Sequence, residues 1–246
     1  MIDIHCHILD GVDDGASDLK ESVAMARIAY EDGVRHIVAT PHFNTVYHVP
    51  KSVTYHKVRQ LQDALEKEGL PITVSCGHEV TLKSAEQFYQ QTENEEYWHL
   101  DSDKTFILLE QPWANYMPDS IEVIDFLIAK GVRPIIPHPE RHGFFREMPA
   151  LLTGLIERGA WTQVSADSLA GRNNEDARKF ALWLLENDLV HTLASDAHNV
   201  RRKPNVGEGY RIIAEHAGEA RKHEIIERMN QIIPDDGQAN KNPVTA

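Results

Sequence analysis

Apolar residues along this chain fall into two alternating kinds of segment. Short runs rich in Val and Ile stand at residues 1–5, 36–40, 72–76, 106–110, 133–137, 162–166 and 191–195, with the length and composition of buried strands. Between them, apolar positions recur at i, i+3 and i+4 over residues 18–32, 52–68, 119–130, 149–158 and 174–186, the spacing that gives a helix one apolar face. Four of these patterns stop at Gly33, Gly69, Gly131 and Gly159, and glycine takes the left-handed conformation of a helix C-terminus at little cost. Asp119 is suited to cap the third helix. Strand–helix alternation of this kind builds parallel βαβ units. A β/α barrel is the expected closure, and a doubly wound open sheet is the second arrangement. Residues 93–103 read as a charged loop. The tail after Ile233 has no periodicity and reads as flexible, which leaves residues 1–232 as a single domain.

Composition narrows the class. The 246 residues suit one α/β barrel, a fold of about 250 residues, and 41% hydrophobic with 26% charged residues is ordinary for a globular chain. No apolar run approaches the roughly 18 residues of a spanning helix, and the first residues lack the marks of a signal peptide. Two cysteines make a disulfide framework unexpected, so a cytoplasmic location is expected. The formal charge of −13 leaves no basic face for nucleic acid and does not favour an anionic membrane. An anionic substrate stays compatible with it if bound metal reverses the local sign.

The chemistry sits at the strand ends. His5 and His7 close the first run at i and i+2, so they share a face and can reach one ion; Cys6 between them faces the other way and packs. His42 follows the second run, Glu79 the third, Glu110 the fourth and His138 the fifth, while Asp196 and His198 follow the seventh. Barrel active sites are built at this end of the strands. Asp13 and Asp14 lie near the first run in GVDDGAS, and spacing does not choose between them. Asp167 fits the same layer or a capping role. His78, by alternation, points away from Glu79 to the surface or to a supporting position. His142, His36, His48, His56, His99, His191, His216 and His223 read as ordinary polar residues. Tyr47, Trp113, Tyr116 and Phe144 lie in loops after strands, where they line the mouth or simply pack.

The ordered blocks HCHILDGVDDGA, ATPHF, GHEV, ILLEQP, PHPERH and ASDAHN resemble the PHP (polymerase and histidinol phosphatase) metallohydrolase superfamily. Within it they are most similar to the bacterial capsule-type, manganese-dependent tyrosine phosphatases of the CpsB/YwqE-like group. The resemblance runs from His5 to about Tyr210. It implies a distorted (β/α)7 TIM-like barrel with three divalent metal ions, Mn2+ first, with Fe, Zn or Co also compatible with these ligand types. It further implies that His5, His7, Asp196 and a bridging Glu79 hold one ion. Glu79, Glu110 and His138 would hold the second, and Asp14, His42 and His198 the third. Arg141 matches the phosphate-binding arginine of that group. A second arginine is usual five residues after the last histidine, where this chain has Lys203, preceded by Arg201 and Arg202, so the second phosphate contact falls to one of these three. Four carboxylates against three divalent ions would leave a positive site in an acidic protein.

The implied reaction is hydrolysis of phosphotyrosine by a hydroxide bridging two metals, without a cysteine nucleophile. Arg141 would steady the phosphate, and Asp14 or His42 would stand ready to protonate the leaving group. The implied partner is a phosphotyrosine protein, a cognate bacterial tyrosine kinase tail that regulates capsule or exopolysaccharide synthesis. The second reading is a histidinol-phosphate or other small-molecule phosphomonoesterase; a phosphodiesterase and a non-catalytic binding module stand further off.

Overall fold

The structure, a computed structural model, describes residues 1–233; the tail read above as flexible lies outside the described residues. In chain order its first half forms β1 (Ile2–Cys6), α1 (Leu19–Glu31), β2 (His36–Ala39), β3 (His42–Phe43), α2 (Lys51–Lys67), β4 (Thr73–Cys76), β5 (Glu79–Thr81) and α3 (Ala85–Glu93). Then come β6 (Phe106–Glu110), α4 (Ser120–Ala129), β7 (Arg133–Pro137), a single 3-10 turn (Pro139–Arg141), α5 (Gly143–Glu147) and α6 (Pro149–Glu157). The last elements are β8 (Trp161–Ser165), α7 (Ala166–Leu169), α8 (Glu175–Glu186), β9 (Thr192–Ala194) and α9 (Val206–Ile232).

Among the described residues the named strands pair in parallel, in the orders β1-β2-β4 and β3-β5-β6-β7-β8-β9. Thr40 and Pro41 interrupt one strand position into β2 and β3, and Gly77 and His78 interrupt the next into β4 and β5. The ladder carries through both breaks, since Gly77 N donates to Ala39 O and Glu79 N to Pro41 O. At Gly77 a Cβ would meet Val38 at 2.6 Å, so only glycine lets the strands stay this close. The seam between β9 and β1 is held by Asp196 N to His5 O at 2.9 Å, His7 N to Ala197 O at 2.8 Å and a parallel bridge Cys6–Ala197. Hydrogen bonding therefore runs through seven strand positions and returns to the first, the barrel arrangement of the two expected.

One apolar cluster joins Ile2, Ile4, Val38, Phe106, Leu108, Ile135 and Ala194 with Leu100, Met229 and Ile232. Its members come from opposite sides of the ring, β9, β1 and β2 on one and β6 and β7 on the other, so it fills the inside, with the end of α9 packed against it. A larger cluster between strands and helices includes Cys6, Ile37, Leu61, Leu65, Val164 and Leu184. Asp18, Ser84 and Asn174 cap α1, α3 and α8 through their side chains, and the four expected helix-stop glycines all have positive φ. Asp119 makes no cap on α4; its carboxylate accepts from Ala85 N at 2.8 Å and braces the start of α3 instead. The periodicity also missed α9, which kinks at Gly218. Among the described residues no helix is long and apolar enough to cross a membrane.

Candidate metal centre

The interior side chains climb from core to site along each strand. On β6, Phe106 and Leu108 join the interior cluster and Glu110, next on that face, emerges above it. On β1 the register is irregular between Asp3 and Cys6, a device that re-aims side chains; Ile2 and Ile4 lie in the core, and His5 and His7 enter the space above it. The loop after β1 folds back so tightly that a Cβ on Gly15 would meet His7 O at 2.1 Å. That fold-back delivers Asp13 and Asp14. His138 and Asp196 both have left-handed backbones, with φ of 34° and 51°. Non-glycine residues rarely adopt this region, and strain of this kind gathers at functional sites.

Glu79 is the hub. Its Oε1 lies 3.3 Å from His5 Nε2 and 2.9 Å from His138 Nε2, while its Oε2 lies 2.8 Å from His42 Nδ1 and 3.5 Å from His7 Nε2. Asp196 Oδ1 stands 3.4 Å from His5 Nε2 and 3.6 Å from both His7 Nε2 and His198 Nδ1. Asp14 Oδ1 stands 3.3 Å from His42 Nε2 and 3.5 Å from His198 Nε2, and Glu110 Oε1 3.8 Å from His138 Nε2. Among the described residues four overlapping donor groups result: His7–Asp14–His42–His198, His5–His7–Asp196, His5–Glu79–His138 and His42–Glu79–Glu110. Nitrogen and oxygen ligands about 2.0–2.2 Å from an ion stand roughly 3–4 Å from one another, and these separations match.

The fit to cations is also visible in what the donors lack. Glu79 Oε2, Glu110 Oε1 and His42 Nδ1 are buried without a hydrogen-bond partner among the described residues; the 2.8 Å approach of His42 Nδ1 to Glu79 Oε2 is close but not aligned for a hydrogen bond. Buried polar groups are ordinarily satisfied, and metal ligation satisfies them. The charges agree. Burial works against a charged His5, yet Glu79 and Asp196 hold its pKa up at about 9. Burial likewise opposes charge on His42, but Glu79 and Asp14 hold it up at about 11. Glu110 is pushed up to about 8 by burial and by the neighbouring Glu79 charge. His138 and His198 are pulled down to about 4 and about 3, first by burial. The pocket therefore favours positive charge from within and holds other imidazoles neutral, as ligands must be.

All nine residues carried over as metal ligands converge here. Arg141 and Arg202 both pair with Asp196 Oδ2. Arg201 and Lys203 remain exposed, so of the three candidates for a second cation the structure brings in Arg202. Asp13 and Asp14 separate cleanly. Asp14 faces His42 and His198, whereas Asp13 accepts from His7 Nδ1 at 2.8 Å, Gly15 N at 2.9 Å and His42 N at 3.0 Å. It turns Nε2 of His7 toward the cluster, the usual work of a carboxylate behind a ligating histidine. Gln163 does the same for His5, its Oε1 lying 2.8 Å from Nδ1, and Thr81 donates to Glu110 at 2.5 Å. Neither was singled out in the sequence; a polar residue within a buried strand was the available sign.

Of the two places expected for His78 the structure gives the supporting one: it is fully buried and braces the fold by bonding Thr54 Oγ1, Val49 O and Trp98 N. Two expectations change. Asp167 accepts from Asn205 Nδ2 at 2.7 Å and from Arg172, away from the donor groups. His142 is not an ordinary polar residue: it is buried, with neither ring nitrogen hydrogen-bonded among the described residues.

Fold and site together define a class first: an α/β barrel with a multi-centre metal-type donor set above its core. The chain belongs to the capsular polysaccharide synthesis CpsB/CapC family, which it matches over residues 1–233. It is 40% identical to tyrosine-protein phosphatase YwqE of Bacillus subtilis (strain 168) over 205 residues, 82% of this chain and 79% of that one. It is 30% identical to tyrosine-protein phosphatase CpsB of Streptococcus pneumoniae over 245 residues, covering 96% of this chain and 99% of that one. Among solved structures it superposes with a TM-score of 0.89 and 36% identity, over 94% of each chain, on a crystal structure from a study of YwqE from Bacillus subtilis and CpsB from Streptococcus pneumoniae, described as unique metal-dependent tyrosine phosphatases.

Proposed function

We propose that this protein is a metal-dependent phosphotyrosine phosphatase, with residues 1–232 acting as one catalytic unit. The observation that carries the reading is the placement of two guanidiniums, Arg141 and Arg202, on the edge of a nine-residue donor cluster. His5, His7, Asp14, His42, Glu79, Glu110, His138, Asp196 and His198 would hold three divalent ions, Mn2+ first among them. Such ions supply Lewis-acid charge and lower the pKa of water. Relatives named as tyrosine phosphatases support the substrate class.

The chain's own groups do the rest. Arg141 and Arg202 leave Asp196 to clamp the phosphate oxygens, where planar guanidiniums give paired, charge-assisted hydrogen bonds. Asp13 and Gln163 keep Nε2 of His7 and His5 aimed inward. The departing phenolate, with a pKa of about 10, needs little protonation. Asp14, half-exposed at the mouth and facing His42, is kept ionised chiefly by His42 and His198, so it would serve as a ligand, and the phenolate takes its proton from water. The partner is a phosphotyrosine protein in the cytoplasm, a bacterial tyrosine kinase tail involved in capsule or exopolysaccharide synthesis.

The test is release of phosphate from a phosphotyrosine peptide by chelator-stripped protein with Mn2+ added back, and histidinol phosphate run alongside. Metal-dependent release from the peptide is the expected result. Activity confined to histidinol phosphate assigns the site to small phosphomonoesters, and silence on both overturns the phosphatase reading.

A further inference from the structure

Trp113 is a large apolar side chain left 51% exposed, in the loop directly after Glu110. Its indole is nonetheless fixed in plane. It stacks on His138 at 5.2 Å and 13°, and on His142 at 4.6 Å and 27°, and the Arg141 guanidinium lies 4.9 Å from its ring centre. His142 has no hydrogen-bonding use for its ring nitrogens among the described residues, so its buried ring acts through its face, as a floor for the indole. From the loop after β3, Tyr47 lies nearly parallel to His42 at 5.8 Å and 12°. His138 and His42 contact different oxygens of Glu79, so the two aromatic rings flank that carboxylate from its two sides. Val46, 78% exposed, and Val200, 42% exposed, extend the apolar rim in the loops after β3 and β9.

Depth makes this rim matter. His5, Glu79, Glu110 and His138 are at most 2% exposed, so a phosphate must pass the rim to meet them. A rigid aryl group spans that depth and lays its faces against the rim, whereas a short alkyl phosphate reaches the same donors without touching it. We infer that Trp113, opposed by Tyr47, is the specificity-determining contact for the substrate's aryl ring and selects aryl over alkyl phosphomonoesters. The inference rests on the phosphatase reading above and deepens it.

The test is calorimetric binding of phenylphosphonate and methylphosphonate to the metal-loaded full-length protein, as wild type, Trp113→Ala and Trp113→Phe. Aromatic stacking predicts a loss of about threefold to tenfold for phenylphosphonate in Trp113→Ala. Methylphosphonate binding should stay within about twofold, and Trp113→Phe should recover most of the aryl preference. An equal loss for both ligands assigns Trp113 a structural role and overturns the inference, as does no loss for either. A wild type that prefers phenylphosphonate yet releases no phosphate from a phosphotyrosine peptide sinks the phosphatase reading while supporting the aryl contact.

Discussion

Two adjacent aspartates give the sharpest test of how this centre is built. Asp13 is held well below the usual carboxylate range: burial opposes its charge, but His7 and the N–H groups of His42 and Gly15 outweigh it. In Asp13→Asn one oxygen remains. If it stays on Gly15 N, the new amide N–H faces His7 Nδ1 and forces the ring proton onto Nε2, the atom that meets Glu79 and Asp196. A protonated Nε2 has no lone pair for a metal. Loss of such a supporting carboxylate costs about tenfold to hundredfold in metal affinity, about 1.4–2.7 kcal/mol. Asp13→Ala also strands two backbone donors, at about 1–3 kcal/mol each where they are buried. Asp14 has a side chain 48% exposed and two imidazole neighbours, so Asp14→Ala should remove a donor and leave the fold alone. The assay is Mn2+ titration paired with thermal unfolding of the metal-free protein. Asp13→Asn should bind more weakly, Asp13→Ala should also melt lower, and Asp14→Ala should lose binding without a lower melting point. Wild-type affinity in Asp13→Asn, within about threefold, would refute the positioning role.

Metal-free protein should lose stability as pH rises from about 6.5, because His5 and His42 have pKa values raised to about 9 and about 11 and Glu110 to about 8. Each raised group stabilises fully below its unfolded pKa and loses that contribution as pH climbs through the folded one. Metal uptake must displace the imidazole protons, so the melting-point gap between loaded and stripped protein should widen from pH 6.5 to 9; a narrowing gap contradicts the charge assignment. Glu110→Gln and His138→Ala should each lower turnover more than about hundredfold. Circular dichroism of both variants should stay native, and Glu110→Gln should melt no lower at high pH, since it relieves the repulsion from Glu79; retained activity in both refutes their place in the centre. Arg202→Ala should raise KM for a phosphotyrosine peptide about tenfold or more, at about 1.5–3 kcal/mol for a charged hydrogen bond. Lys203→Ala should change it little, and the reverse ranking would return the second contact to Lys203.

What the sequence made legible was what repeats. Seven apolar runs gave the ring, because a buried parallel strand is apolar on both faces and needs no partner to be recognised. The residues closing those runs could be assembled into one site because barrel strands all deliver their ends to one face. What stayed hidden depends on local geometry. The pairs Thr40–Pro41 and Gly77–His78 split two strands without disturbing composition, and nothing in a run of letters marks an interrupted ladder. Asp13 and Asp14 differ only in where a tight loop turns. His78 and His142 look like any surface histidine until helix packing buries them, and α9 shows weak patterning because its two halves meet at the Gly218 kink.

The register explains why the site follows from the fold so directly. His42 pairs with Glu79 across β3 and β5, and Thr81 pairs with Glu110 across β5 and β6. Those same ladder neighbours make the 2.8 Å and 2.5 Å side-chain approaches. The centre's spacing is thus set by backbone hydrogen bonds, not by the attraction of its charged groups, several of which repel one another. Slipping β5 by one residue would exchange Glu79 for Val80 on the inner face, burying a carboxylate against helices and opening the hub of the cluster. Breaking each strand just below His42 and Glu79 then has a physical use. It re-aims the two short upper segments while the ladder carries through, so that His42 and Glu79 stand paired at the cavity above apolar residues that pack beneath them.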